Sequence, residues 1–198
     1  MMQEEVAFKF HRDVGLPVTI MRPGPMYGPR HKYGVYHILL AIKRLGEGIV
    51  VSIYPNSKRL RYPSVHIADV CRAATFLADK KEAIGEAYNV VDDELHTQDE
   101  MAEFVASMFG YSCIRIPVWW PVYKFLSKPA LVYAKVQERR ARGRGIRPKM
   151  DTPMVEYVTH QYWFSNEKIK RSGFKFLYPD FHRGLWEYVG WCRERGWL

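Results

Sequence analysis

The most constraining stretch of the chain is residues 15–30, GLPVTIMRPGPMYGPR. Leu16–Arg22 holds a short, nearly continuous apolar run, the pattern of a strand buried on both faces. It stops at once, because Pro23, Gly24, Pro25, Gly28 and Pro29 fix or free backbone angles in ways that regular structure does not accept. Upstream, Val6, Phe10 and Val14 recur at four-residue spacing over residues 3–14. Glu4 and Glu5 suit the positive end of a helix there, and Gly15 suits its stop. A helix running straight into a buried strand, then a rigid loop, predicts an α/β fold. In such folds ligands bind beyond the carboxyl ends of strands, so the loop at 23–30 is the first candidate site.

The rest of the chain continues that alternation. Val35, Ile38, Leu39, Ile42 and Leu45 mark an amphipathic helix closed by Gly46, and IVVSIY (49–54) reads as a strand. A helix from about Ile67 to Asp79 places Val70, Ala73, Ala74 and Leu77 on one face, and EAYNVVD follows as a short strand. Thr97 and Glu100 form a T-x-x-E capping box ahead of Met101, Phe104, Val105 and Met108, with Gly110 at the end. Ser165 is the expected N-cap of a short helix ending at Gly173. The last helix carries Phe181, Leu185, Tyr188, Val189 and Cys192 inward.

Composition removes several classes. Apolar residues make up 47% and aromatics 15% of the 198 residues, too much for a disordered chain. Cys71, Cys113 and Cys192 are odd in number and scattered, which excludes a disulfide scaffold. No run of 18 apolar residues occurs, and the first thirteen residues lack a signal-peptide core. A cytoplasmic protein, peripheral on a membrane at most, is the expectation. Familiar catalytic motifs are missing as well. There is no G-x-G-x-x-G, phosphate-binding P-loop, H-E-x-x-H, C-x-x-C or G-x-S-x-G, so no metal site and no catalytic residue is assigned in this chain. Tyr54 and Lys58 have the Tyr-x-x-x-Lys spacing of an acid/base pair, but Pro55 pushes Tyr54 out of the helical region and a surface turn is the better reading.

GLPVTIMRPGPMYGPR resembles the segment that follows the catalytic helix in the extended short-chain dehydrogenase/reductase (NAD-dependent epimerase/dehydratase) family. RYPSVHIADVCRAATFLAD, GEAYNVVDDELHTQDEMAEFVASMFG and YWFSNEKIKRSGFKFLYPDF are similar to later segments of the same family, in the same order. The resemblance implies the C-terminal part of a Rossmann-type NAD(P)-binding fold plus a mostly helical substrate-binding subdomain. Residues 1–30 and 62–91 would end the Rossmann sheet. Residues 31–61 and 92–163 would bind substrate, with a basic aromatic insert at 117–149, and 164–198 would be C-terminal helices. The family's catalytic Lys would fall at Met1 or just before it, and its glycine-rich loop further upstream. The chain is thus expected to be a C-terminal half, with an unpaired sheet edge and an uncovered apolar face; a homodimer or a missing N-terminal half would cover them.

By position, Pro23 and Gly24 would lie against the nicotinamide of NAD or NADP. Pro25 of the loop would face the substrate; Tyr27 and Arg30 would either reach it or pack and face solvent, and Arg61 would either meet it or belong to a solvated basic run with Lys58 and Arg59. Pro25 stands where nucleotide-sugar members carry an Asn, and with the IRIPVWWPVYKFL segment it makes the chain look closer to the 3β-hydroxysteroid dehydrogenase and sterol-4-carboxylate 3-dehydrogenase branch. That branch implies oxidation of a secondary alcohol on a sterol-like or other apolar small molecule. A nucleotide-sugar epimerase or dehydratase fragment is the alternative, and a non-catalytic membrane-docking remnant a third. His66 and Asp69 are expected to be structural.

The net charge of +9 is not spread evenly. Residues 112–149 hold ten Lys or Arg against one acid, Glu138, so this segment alone accounts for it. Within it Val122, Leu126, Pro129, Tyr133 and Val136 form an apolar stripe and Lys124, Lys128, Lys135 and Arg139 a basic one, with Trp119, Trp120 and Tyr123 at one end, and Pro129 is expected to split the helix. Three readings stand: a lid helix packed on its own core, a helix lying on an anionic membrane surface, or a nucleic-acid contact through RRARGRGIRPK, for which no nucleic-acid fold is present.

Overall fold

A computed structural model describes residues 2–45, 48–57, 60–93, 96–146, 148 and 150–198. In chain order the first half runs α1 (Met2–Val14), β1 (Ile20–Pro23), β2 (Met26–Tyr27), α2 (Val35–Leu45), β3 (Ile49–Pro55), β4 (Arg61–Tyr62), β5 (Val65–His66) and α3 (Ile67–Ala78). The second half runs β6 (Ala87–Val90), β7 (His96–Thr97), α4 (Gln98–Met108), β8 (Ser112–Val118), α5 (Trp120–Arg144), α6 (Thr152–Thr159), α7 (Glu167–Arg171) and α8 (Phe181–Glu194). Parallel strands joined through helices give the α/β class. The chain forms two compact units, each assembled from separated segments: Met1–His31, Pro63–Glu94 and Phe164–Trp197 in the first, Lys32–Tyr62 and Leu95–Trp163 in the second.

In the first unit β1 pairs with β6, and β2 with β5, both parallel. Its core gathers Val65, Val70, Ala73, Leu77, Tyr88, Val90, Ile169 and Phe174. The 3–4 spacing of Val70, Ala73 and Leu77 puts all three on the inner face of α3. Phe181, Leu185, Tyr188, Val189 and Cys192 are likewise buried along α8, as their period predicts. Two expectations change. The strand after Gly15 is only four residues long and half-buried to exposed, because it has a neighbour on one edge alone among the described residues. The Pro/Gly loop is also less irregular than expected, since Met26–Tyr27 pairs with Val65–His66.

The second unit is built on β3 and β8, parallel in register from Ile49↔Ser112 to Pro55↔Val118. Helix α4 lies on this pair, and Arg115 of β8 reaches Glu103 of α4 at 3.0 Å. The Thr97–Glu100 capping box forms, with the Thr97 N–H donating to Glu100 Oε2 at 2.9 Å. Strand β8 and helix α6 have no counterpart in the sequence reading. Pro129 does not split the helix: α5 runs unbroken through it. A proline removes one i→i−4 bond, at a cost of about 3 kcal/mol, and the turns on either side of it keep theirs. The cap of α7 falls on Asn166 rather than Ser165, whose Oγ accepts the Glu167 N–H at 3.3 Å. Gly46 and Lys58 lie outside the described residues.

Candidate functional site

The site is built where β1 ends. Gly24 continues the ladder one residue past Pro23, its N–H donating to the Val90 carbonyl at 3.0 Å. A Cβ at Gly24 would stand 2.8 Å from Val91 Cγ1, so only glycine lets the two chains approach this closely. The Pro25 carbonyl then accepts the Val65 N–H at 3.1 Å, and the Asp92 N–H donates to the Ser64 carbonyl at 2.8 Å. Gly28 turns the chain at φ +129°, where a Cβ would meet His66 Nε2 at 2.9 Å. Arg30 adopts φ +67°, the left-handed region that ordinary side chains seldom occupy. The loop is therefore a fixed shape, held by backbone hydrogen bonds and two glycines.

Beneath the loop lies a buried polar cluster. Asp92 Oδ2 accepts from Ser64 Oγ at 2.9 Å and from the Tyr27 hydroxyl at 3.4 Å. Asp92 is almost fully buried, and its Oδ1 has no hydrogen-bond partner among the described residues. Burial pushes its carboxyl well above the usual carboxylate range, against the lowering effect of the Ser64 hydrogen bond. The Tyr27 phenol is driven far up, first by burial and then by the Asp92 charge, so it stays protonated. His66 caps α3, its Nδ1 accepting the Ala68 N–H at 3.3 Å, while Nε2 lies 3.0 Å from Glu187 Oε2. Burial lowers the imidazole's pKa although Glu187 and Asp69 oppose it.

Of the loop residues singled out from sequence, Pro23 and Arg30 are exposed, Pro25 is half-buried and Gly24 is buried. Tyr27 takes the packed alternative. It is fully buried, edge-on to His66 and Phe181 at ring separations of 5.3 and 5.1 Å. Arg61, exposed on β4, belongs to the second unit, so the structure does not gather it with the loop inside one unit. On α5, Lys124, Lys128, Lys135 and Arg139 are all exposed, as is Trp119 before it, while Trp120 is half-buried. Asp69 is structural: buried, it accepts the Leu177 and Tyr178 N–H groups at 2.8 and 2.7 Å and pairs with Arg72 at 2.8 Å.

Sequence reasoning missed three features. The Arg22 guanidinium forks onto Glu4 at 2.9 and 2.5 Å, tying the strand before the loop to α1. Asn166 Nδ2 donates to the Val91 carbonyl at 2.9 Å and to Asp93 Oδ1 at 2.8 Å, fixing the chain where β6 ends. Asp92 itself stands in the sequence only as the end of the EAYNVVD strand. A signal existed for this last one, since a lone acid directly after an apolar strand and opposite a Pro-Gly turn must find donors. Within neither unit do three metal-ligating side chains converge among the described residues.

Residues 1–91 match the NAD dependent epimerase/dehydratase family. No curated protein matches the chain. Solved structures do. A dTDP-glucose 4,6-dehydratase from Bacillus anthracis, in complex with NAD, superposes with a TM-score of 0.63 at 16% identity, over 98% of this chain and 50% of that one. A dTDP-glucose 4,6-dehydratase from Streptomyces venezuelae, with NAD and TYD bound, gives 0.61 at 21% identity over the same shares. The UDP-glucose 4-epimerase of Thermotoga maritima gives 0.61 at 20%, again over 98% and 50%. The chain thus has the fold of these proteins and spans about half their length.

Proposed function

We propose that this chain is the substrate-side portion of an NAD(P)-dependent oxidoreductase of the epimerase/dehydratase kind, working on a secondary alcohol. The observation that carries the reading is the Pro23–Gly24 turn at the carboxyl end of the parallel strand β1, clamped to Val90 and Val91. It presents the exposed Pro23 ring as a flat apolar wall at the place where α/β folds take ligands. A nicotinamide fits such a wall, and when bound it would supply the hydride-accepting ring. The chain's own part is to hold that ring's plane and to keep water from one side of it. No glycine-rich turn for the pyrophosphate accompanies it, so these residues fit the nicotinamide end alone.

The likeness to dTDP-glucose 4,6-dehydratases and a UDP-glucose 4-epimerase favours a nucleotide sugar as the substrate. One observation favours a second, apolar substrate of the sterol type. Pro25 has no N–H, its carbonyl is already taken by Val65, and its half-buried ring offers nothing polar to a sugar. Saturation-transfer NMR on the purified chain separates these readings. Nicotinamide mononucleotide should receive saturation at its ring protons and lose it in Pro23→Glu. No transfer to the ring from the unaltered chain would overturn the nicotinamide reading. Competition between dTDP and a soluble sterol hemisuccinate would then decide the substrate class.

A further inference from the structure

We propose that α5 lies on an anionic lipid surface, with its outward apolar face in the headgroup layer and its cations against lipid phosphates and carboxylates. This rests on the second unit alone and does not depend on the nicotinamide reading. Helix α5 has 25 residues, about 38 Å at 1.5 Å each. One face is packed inside the unit. Ala134 and Ala141 are buried there, and Glu138, the helix's only acid, accepts the Thr152 N–H at 2.5 Å.

The opposite face is uncovered. At about 100° per residue, Val122, Phe125, Leu126, Val132, Tyr133 and Val136 fall within one third of the circumference. All six are exposed, Phe125 by 67% and Val132 by 62%. An open apolar groove of about 690 Å³ runs along this face, with Pro129 in its wall. Beside the apolar arc, Lys124, Lys128, Lys135, Arg139 and Arg142 make a second exposed stripe. The two stripes touch where Lys128 Nζ sits 5.7 Å from the Phe125 ring centre, and at the start of the helix Lys124 Nζ sits 5.2 Å from that of Trp120. Trp119, 67% exposed, stands just before the helix begins.

Charge decides the occupant. A second copy of α5 would bring the same cations and no exposed acid to answer them. A polynucleotide would satisfy the cations and leave the apolar arc in water. An anionic bilayer surface answers both stripes at once, taking apolar side chains a few ångströms deep while Lys and Arg stay at headgroup level. No helix among the described residues is long and apolar enough to cross the membrane, so α5 lies along the surface.

The test is co-sedimentation of the full chain with phosphatidylcholine vesicles, with and without 30% phosphatidylserine. Binding is expected only with phosphatidylserine and should fade at high salt. Lys124→Gln with Lys128→Gln should weaken it about twenty-five-fold, at about fivefold per cation. Phe125→Ser with Val132→Ser should weaken it as well. All four side chains are exposed, and an unchanged circular dichroism spectrum checks that each variant folds. Equal binding to neutral vesicles, or binding that both double variants leave unchanged, would overturn the proposal. So would a concentration-dependent dimer that Val132→Ser dissolves while vesicles go unbound, which would identify a second copy as the occupant.

Discussion

At single positions the chain is fixed most tightly around the end of β1. Gly24→Ala would drive a methyl group into the branched, stiff side chain of Val91, and overpacking of this kind costs about 1–3 kcal/mol. Urea unfolding of the variant should show that loss as a lower midpoint at unchanged slope. Asp92 makes a pH prediction whose sign follows from its burial. An unfolded aspartate titrates near about 3.9, whereas folded Asp92 keeps its proton to higher pH. Between those two values the folded chain binds more protons than the unfolded one, so this group's contribution to stability falls as pH rises through the window. Asp92→Asn removes the effect. Thermal midpoints should therefore improve relative to the unaltered chain on going from pH 4 to pH 8, with Ser64, Tyr27 and Asp69 as the surrounding groups. A flat difference across that range would show that Asp92 ionises as freely as an exposed carboxylate.

At the scale of elements, legibility followed the strength of local signals. The capping box at Thr97, the 3–4 spacing of α3 and the apolar face of α8 were readable because each is written within one or two turns of chain. Strand β8 was not, since SCIRIPV contains a proline and an arginine, and only the free edge of β3 makes it a strand. Pro117 is tolerated there because it lies on an edge. Helix α6 did carry a signal: Asp151 followed by Pro153, with Asp151 Oδ1 accepting the Met154 N–H at 3.0 Å. Asp151→Ala should cost about 1 kcal/mol, as lost caps do, readable in chemical denaturation. In the sequence Pro129 suggests a break because its effect is local, while a helix this long keeps its other bonds. Pro129→Ala should raise helicity and stabilise the chain by up to about 3 kcal/mol, measured by circular dichroism and denaturant midpoint.

At the scale of the whole molecule, each unit leaves apolar side chains uncovered. The α1 stripe of Val6, Phe10 and Val14, whose spacing announces an inward face, is exposed, as are Ile49, Val51 and Ile53 of β3 and Ile114 and Ile116 of β8. The register sets Val51 beside Ile114 and Ile53 beside Ile116, so they make one continuous patch. Such a face invites association. Val51→Lys with Ile114→Lys should lower light scattering at a given concentration without changing the circular dichroism spectrum.

The first unit has a further consequence for how the protein is made. Its segments are residues 1–31, 63–94 and 164–197, and Asp69 in the second takes the backbone N–H groups of Leu177 and Tyr178 from the third. A polypeptide emerging from a ribosome holds α1, β1 and α3 long before it holds those partners. The unit therefore cannot close during synthesis, and must wait, apolar surfaces open, until residues 164–197 have cleared the exit tunnel.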